Sequence, residues 1–481
     1  MKCRENQLIR NRPETDFAIQ SAVRSLVIGY PYSETTHITA KRERSILTEQ
    51  ATPRALPAKF VFAVVVGGVI GLGILRGPGE IAGVIADPFF YLALWLFGGL
   101  FVLLSTAVCA ELVGMTQRSG GTYALIRRAY GPYPGFVIGW VDWLSFVADI
   151  ALKAVVILEF VAILFPESVA WRIPLAIIVT TVFAAFQLRG IALGALIQEF
   201  ATAAIGLVII VLALLLFVVD TVTASVPELA PANIGLGDWS LVIATIIFTY
   251  DGWLYASYFT GEIKGGSGVV ARSCIKAVVI VIALYMLLNL ALVKSVGLAA
   301  LAGSDLALAS ALELAISPAA GSAVIIAAIL ILLSHQNLAY MGAPRILQAL
   351  AKDGLAVQRA QHVGRSGNPI FAVLLTWLVS VSLIVVGGFK FLLFLSVFFF
   401  VPLYLALIVG VLILRKREPG AERPYRAWGH PYSTIVCLIG WTLVTLFQAY
   451  VERETAVYAL AMVVVSWPVY RYLLRTPKPR P

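Results

Sequence analysis

From Phe60 onward the chain is a near-continuous succession of apolar runs, and that feature leaves it very few folds. Each run is close to the ~20 residues that a helix rising about 1.5 Å per residue needs to cross roughly 30 Å of hydrocarbon. About twelve can be counted, near 60–86, 89–114, 134–165, 171–189, 191–219, 238–262, 269–298, 318–345, 369–388, 390–414, 431–450 and 455–475. In lipid only helices and closed barrels satisfy their backbone polar groups, and unbroken runs of this length are helices. Of the 481 residues, 60% are apolar and 13% charged. A water-soluble core could not hide that much apolar surface, so a soluble globular enzyme is excluded. The expected fold class is an all-α integral membrane protein.

The net charge of +10 would suggest a nucleic-acid partner in a soluble protein. Here it reads as a record of orientation. If the runs cross alternately from a cytosolic amino terminus, 30 of the 36 Lys and Arg fall on the cytosolic side. Four fall outside, Arg172, Lys294, Lys390 and Arg453, and two lie within helices. This bias predicts both termini in the cytosol and a multi-pass protein of the plasma membrane, or of the inner membrane in a bacterium. Contacts with anionic lipid headgroups account for clusters such as Arg127 and Arg128 and the 415–426 stretch, with no nucleic-acid partner. Residues 1–59 are polar and read as a disordered cytosolic tail, with a candidate short helix around Thr15 to Ile28; an upstream misassigned start codon would explain them equally well. A second short cytosolic tail spans 476–481.

Cys3, Cys109, Cys274 and Cys437 lack paired spacing, so neither a disulfide framework nor a thiolate metal site is expected. Neither a phosphate-binding loop, a zinc-binding His-Glu pair nor a nucleophile triad stands in a supporting context. The expectation is a protein that is not an enzyme and uses no cofactor or metal.

Two of the runs carry interruptions. The first contains GGVIGLGILRGPG at 67–79, with six glycines and Pro78. Each interior glycine costs about 1 kcal/mol relative to alanine, which makes Gly71-Leu72-Gly73 a natural place to unwind; close packing through small residues is the other reading. The sixth contains FTYDGWLYASYFTGEIK at 248–264, with Tyr250-Asp251-Gly252 near its centre. An Asp there costs about 2.5–3.5 kcal/mol on insertion scales, so it marks a site or caps the second half of a broken helix. Breaks in the first and sixth crossings occupy the same place in two groups of five, the pattern of an inverted repeat with a midplane site. Amides at a half-helix start attract an anion and free carbonyls at a half-helix end attract a cation, so a zwitterion fits.

These segments, with SGGTYALIRRAYG at 119–131 and APRILQALAKDG at 343–354, occur in the order and spacing of a known group. The chain resembles the amino acid–polyamine–organocation (APC) superfamily, and within it the L-type amino acid transporters and their bacterial relatives, over roughly residues 60–475. The resemblance implies repeats at 60–219 and 238–414 with two additional helices at 431–475. It further implies that amides of Gly71, Leu72 and Gly73 hold a substrate carboxylate, and that carbonyls of Val69, Phe248 and Asp251 hold its amino group. The aromatic ring of Phe248 would gate the pocket beside Gly252, and Trp253 would line it. Two departures matter. Ile205 stands where many members carry a helix-five lysine. The loop at 165–172 lacks the cysteine through which eukaryotic members join an accessory glycoprotein, so no disulfide-linked subunit is expected.

A few intramembrane charges need an explanation. Asp149 and Lys153 are four residues apart on one helix face and can pair, as a structural ion pair or as the missing cation and a proton carrier. Arg76 precedes Glu80 by the same spacing and either pairs with it or steers a carboxylate. His335, within SHQN at 334–337, is either a packing element or a proton carrier; its neighbours Ser334 and Asn337 suit either reading, as does Glu199 nearer the cytosolic end of the fifth crossing. The expectation is a secondary transporter of a small amino acid working by alternating access, coupled to protons or to a counter-transported amino acid. A polyamine or other organic cation is the alternative substrate, and a non-transporting amino acid sensor the alternative class.

Overall fold

Helix starts in this chain are set locally before any packing is considered. Pro88, Pro132 and Pro318 each open a helix, at the position where a missing N–H costs nothing. Asp87 and Ser317 stand before two of them and accept from the amides of Phe90 (2.6 Å) and Ala320 (3.3 Å). The computed structural model describes residues 56–189, 191–219, 234–364 and 368–475. Cys3, most of the amino-terminal tail with its candidate helix around Thr15, and the carboxyl tail lie outside the described residues.

The described residues are helical almost throughout. They form α1 (Ala58–Val69), α2 (Leu72–Ala82), α3 (Pro88–Met115), α4 (Gly121–Tyr130), α5 (Pro132–Leu164), α6 (Arg172–Gln187), α7 (Ile191–Val218) and α8 (Leu236–Thr249). After a 3₁₀ segment at Tyr255–Glu262 come α9 (Ser267–Ser295), α10 (Gly297–Leu301), α11 (Ala307–Ala315), α12 (Pro318–Lys352), α13 (Ile370–Val386), α14 (Phe389–Arg417), α15 (Tyr432–Val451) and α16 (Arg453–Arg475). Among the described residues, nine helical stretches are long and apolar enough to cross a membrane. The apolar helices α8 and α13 are shorter. The chain is an all-α, multi-span membrane protein.

Helix α5 is the hub. It packs against α12, α14, α4, α13 and α6, so its sides meet protein rather than lipid. That shelter is why it can carry Asp142, Asp149 and Lys153, all buried, which a lipid-facing helix could not. At the other extreme, Leu443, Leu446, Leu460 and Val464 of α15 and α16 are exposed, a belt that hydrocarbon would cover. The pairs α3 with α9, and α5 with α12, form the broadest packing faces of the bundle.

Candidate functional site

The first crossing is two helices. α1 ends at Val69, Ile70 takes an extended backbone, and α2 starts at Leu72, with Gly71 between them. The sixth is also interrupted: α8 stops at Thr249, Gly252 adopts φ +100°, and the chain continues as the 3₁₀ segment.

The two interruptions are built against one another. A Cβ on Gly252 would stand 2.4 Å from the carbonyl oxygen of Gly68, and one on Gly73 would stand 2.4 Å from the Cα of Thr249. The Tyr285 hydroxyl of α9 donates to the carbonyl of Val69 (2.8 Å) and also reaches that of Thr249 (3.2 Å). Helix-terminal carbonyls have no acceptor role left inside their own helix, so one phenol serves two of them. Sequence reasoning missed Tyr285, since a tyrosine inside an apolar helix looks like core.

His335 lies at the first break rather than in the cavity. Its Nε2 is 2.8 Å from the carbonyl of Gly68, so Nε2 carries the proton and donates. The ring lies against Gly71, where a Cβ would be 2.1 Å from Cε1. Its Nδ1 is buried without a hydrogen-bond partner. Gln198 and Thr202 of α7 face this region; Thr202 donates to the carbonyl of Ala63 (2.9 Å). Ile205 is buried.

A partly open cavity lies beside the second break. Phe248, Asp251 and Gly252 supply one wall, α5 supplies Asp142 and Asp149, and Phe400 and Tyr404 come from α14. The Tyr404 hydroxyl donates to Asp251, and the Tyr404 ring stacks on Trp253 with centroids 4.8 Å apart. Phe248 is tilted against the same wall, its ring 6.5 Å from that of Phe400. Asp149 accepts from Lys153 at 2.5 Å. Asp142 accepts from the hydroxyls of Thr122 and of Tyr258, the latter at 2.7 Å. Buried carboxylates need such donors, because an unpaired one in low dielectric is very costly.

Of the expected site residues, Phe248, Asp251, Gly252 and Asp149 line the cavity. Gly71 lies in the first break, with Val69 ending α1 and Leu72 and Gly73 opening α2; none of the four is among the cavity's lining residues, and Trp253 lies behind Tyr404. Arg76 is elsewhere. It bonds Glu80 (3.1 Å), Glu159 of α5 (2.8 Å) and Asp305 (2.7 Å), with Phe389 of α14 under its guanidinium at 3.7 Å. Asp142 was legible by the argument applied to Asp149, being a carboxylate two turns earlier on the same face, yet only the fold brings it to the second break.

A helical bundle crossed by two facing backbone interruptions, with a polar and aromatic cavity beside the second, is an arrangement that suits a membrane permease for small solutes. The family model for amino acid permeases matches residues 59–468, and the chain belongs to that family, within the APC superfamily, whose members are transporters rather than enzymes. It is 25% identical over 392 residues to the serine/threonine exchanger SteT of Bacillus subtilis, covering 79% of this chain and 88% of the other. It is 27% identical over 238 residues to the b(0,+)-type amino acid transporter 1 of Oryctolagus cuniculus, 47% of this chain and 48% of that one. A stretch of 188 residues is 29% identical to the polyamine transporter RMV1 of Arabidopsis thaliana, covering 37% of this chain and 36% of that protein.

Proposed function

We propose that the protein is a secondary active transporter that carries an amino acid across the plasma membrane by alternating access, binding it where the two interrupted helices meet. The observation that carries this reading is the cavity itself, which joins the second break to α5 and α14 inside an apolar bundle. The first-turn amides of α2, at Leu72 and Gly73, have no acceptor within their own helix and suit a carboxylate. Carbonyls at Val69, Phe248 and Asp251 suit the ammonium, with Phe248 as the movable cover.

Adding the two shorter helices and the charged α5 to the nine apolar stretches makes twelve crossings. On this reading they form two inverted groups of five plus α15 and α16, with both termini in the cytosol. Arg76 then sits at the outer end and Arg345 at the inner. The serine/threonine exchanger among the relatives favours exchange over proton symport as the coupling mode.

Counterflow of labelled amino acids into proteoliposomes tests the reading. Uptake that requires preloaded unlabelled amino acid marks an exchanger, and uptake into empty vesicles driven by a pH gradient marks a symporter. Absence of any flux, with retained amino acid binding, would instead support a sensor.

A further inference from the structure

The cavity's charge does not balance for a neutral amino acid. Asp142, Asp149 and Asp251 all line it, and no Lys or Arg is among its lining residues. Lys153, next to it in space, is committed to Asp149 at 2.5 Å. The other two carboxylates are held by neutral hydroxyls, Asp251 by Tyr404 and Asp142 by Thr122 and Tyr258. A substrate's own α-ammonium would balance one of them. The α-carboxylate that accompanies it cancels that gain, so a zwitterion leaves the cavity as acidic as it found it.

The rest of the lining points the same way. Phe146, Phe248, Phe400 and Tyr255 present aromatic rings around the carboxylates, and ring faces attract organic ammonium groups, more so when water is excluded. Asp142 is 1% exposed and lies seven residues before Asp149 on α5. At about 1.5 Å per residue that places it roughly 10 Å further along the helix, toward α4. Resting on the transporter reading above, we propose that the substrate carries an ammonium on a flexible alkyl side chain, and that Asp142 is the specificity-determining residue that receives it. The α-amino group stays at the second break beside Asp251, and the far ammonium meets Asp142 in the aromatic part of the cavity. Tyr258 and Thr122 hold both oxygens of Asp142 in place, leaving a lone pair on each for the incoming donor.

The test is counterflow by the purified full chain in proteoliposomes, with lysine, ornithine and putrescine set against serine and leucine. Lysine, ornithine or putrescine should move at lower half-saturating concentrations than serine or leucine; putrescine without lysine would assign the site to diamines rather than basic amino acids. Asp142→Asn should raise those concentrations tenfold or more, and by a clearly larger factor than those of any neutral substrate, with Asp142→Glu recovering most of the loss. A role confined to packing α4 on α5 would instead depress all substrates alike. Thermal melting with and without lysine separates a misfolded Asp142→Asn from a folded one, and if that variant does not fold, the wild-type substrate profile decides. Transport of neutral amino acids alone would overturn this inference and leave the transporter reading standing, as would a folded Asp142→Asn with unchanged lysine and putrescine uptake. Failure to transport or bind any amino acid or amine would remove both.

Discussion

At Gly252 the backbone takes φ +100°, and the space where a side chain would begin is filled by the carbonyl of Gly68. The left-handed region costs a non-glycine residue about 1–2 kcal/mol, and the contact adds to it. Gly252→Ala should therefore lower the melting midpoint of the detergent-solubilised protein and depress transport; an unchanged melt would mean that the second break tolerates a shift of its backbone. Tyr285→Phe tests the same junction from the other side. Losing one hydroxyl strips the carbonyls of Val69 and Thr249 of their shared donor, at about 1–3 kcal/mol for buried acceptors left unpaired. Melting and uptake should both fall, and a variant matching wild type in both would show that water replaces the phenol. Legibility at this scale followed polarity: Asp251 and His335 stood out because carboxylates and imidazoles are expensive in lipid, whereas Tyr285 carries its one polar atom at the end of an apolar ring.

Elements were legible where they are long and apolar. The first run extends from 60 to 86 in the sequence and resolves into α1 and α2; of the expected Gly71-Leu72-Gly73 step only Gly71 lies in the interruption, which falls at Ile70 and Gly71, while Leu72 and Gly73 already belong to α2. The 238–262 run proves to be α-helical only to Thr249, followed by a turn at 250–254 and the 3₁₀ segment from Tyr255, a difference of hydrogen-bond register that apolar content does not encode. The short helices α4 and α11 fall in stretches too brief to announce themselves, and α4 matters for the site because Thr122 lies in its first turn. It is also pinned to the end of α12. Asp353, directly after α12, is buried and takes the guanidiniums of Arg118 (2.8 Å) and Arg127 and the hydroxyl of Tyr123 (2.5 Å). Burial alone would raise the pKa of this carboxyl, but the two guanidiniums and the phenol outweigh it and hold it below the ordinary carboxylate range. A depressed folded value means that the stabilisation is complete above about pH 4 and drains as pH falls through the lowered value. Asp353→Asn should thus melt well below wild type at pH 7, with the gap closing as the pH drops below about 4. A gap that stays constant across that range would show that the carboxylate's charge contributes nothing.

Across the whole molecule, two ionic clusters fasten opposite ends of the same bundle. Arg76 joins α2 to Glu159 near the end of α5, to Asp305 and to the ring of Phe389. Arg345 of α12 joins Glu262 at the end of the 3₁₀ segment (3.1 Å) and lies over the ring of Phe259. That segment is also paired with the chain ahead of α1, through backbone bonds from Leu56 to Glu262 (3.0 Å) and from Lys264 to Leu56 (2.9 Å). Gly135 of α5 packs on Arg127, so Glu159 and the Asp353 cluster are separated by about 24 residues of one helix, roughly 36 Å. On the alternating-access proposal the halves must be tied at each end by contacts that can break independently, and removing one tie should bias the cycle toward that side. A cysteine at the cavity-lining Ser396 can report on this, since Cys109, Cys274 and Cys437 are buried and Cys3 can be changed to serine. Adding Arg76→Met to Ser396→Cys should raise labelling by a membrane-impermeant thiol reagent applied to the Arg76 face by severalfold and lower it from the other face. Arg345→Met should do the reverse. Labelling that rises from the same face in both variants would mean that the two clusters stabilise the fold without governing access.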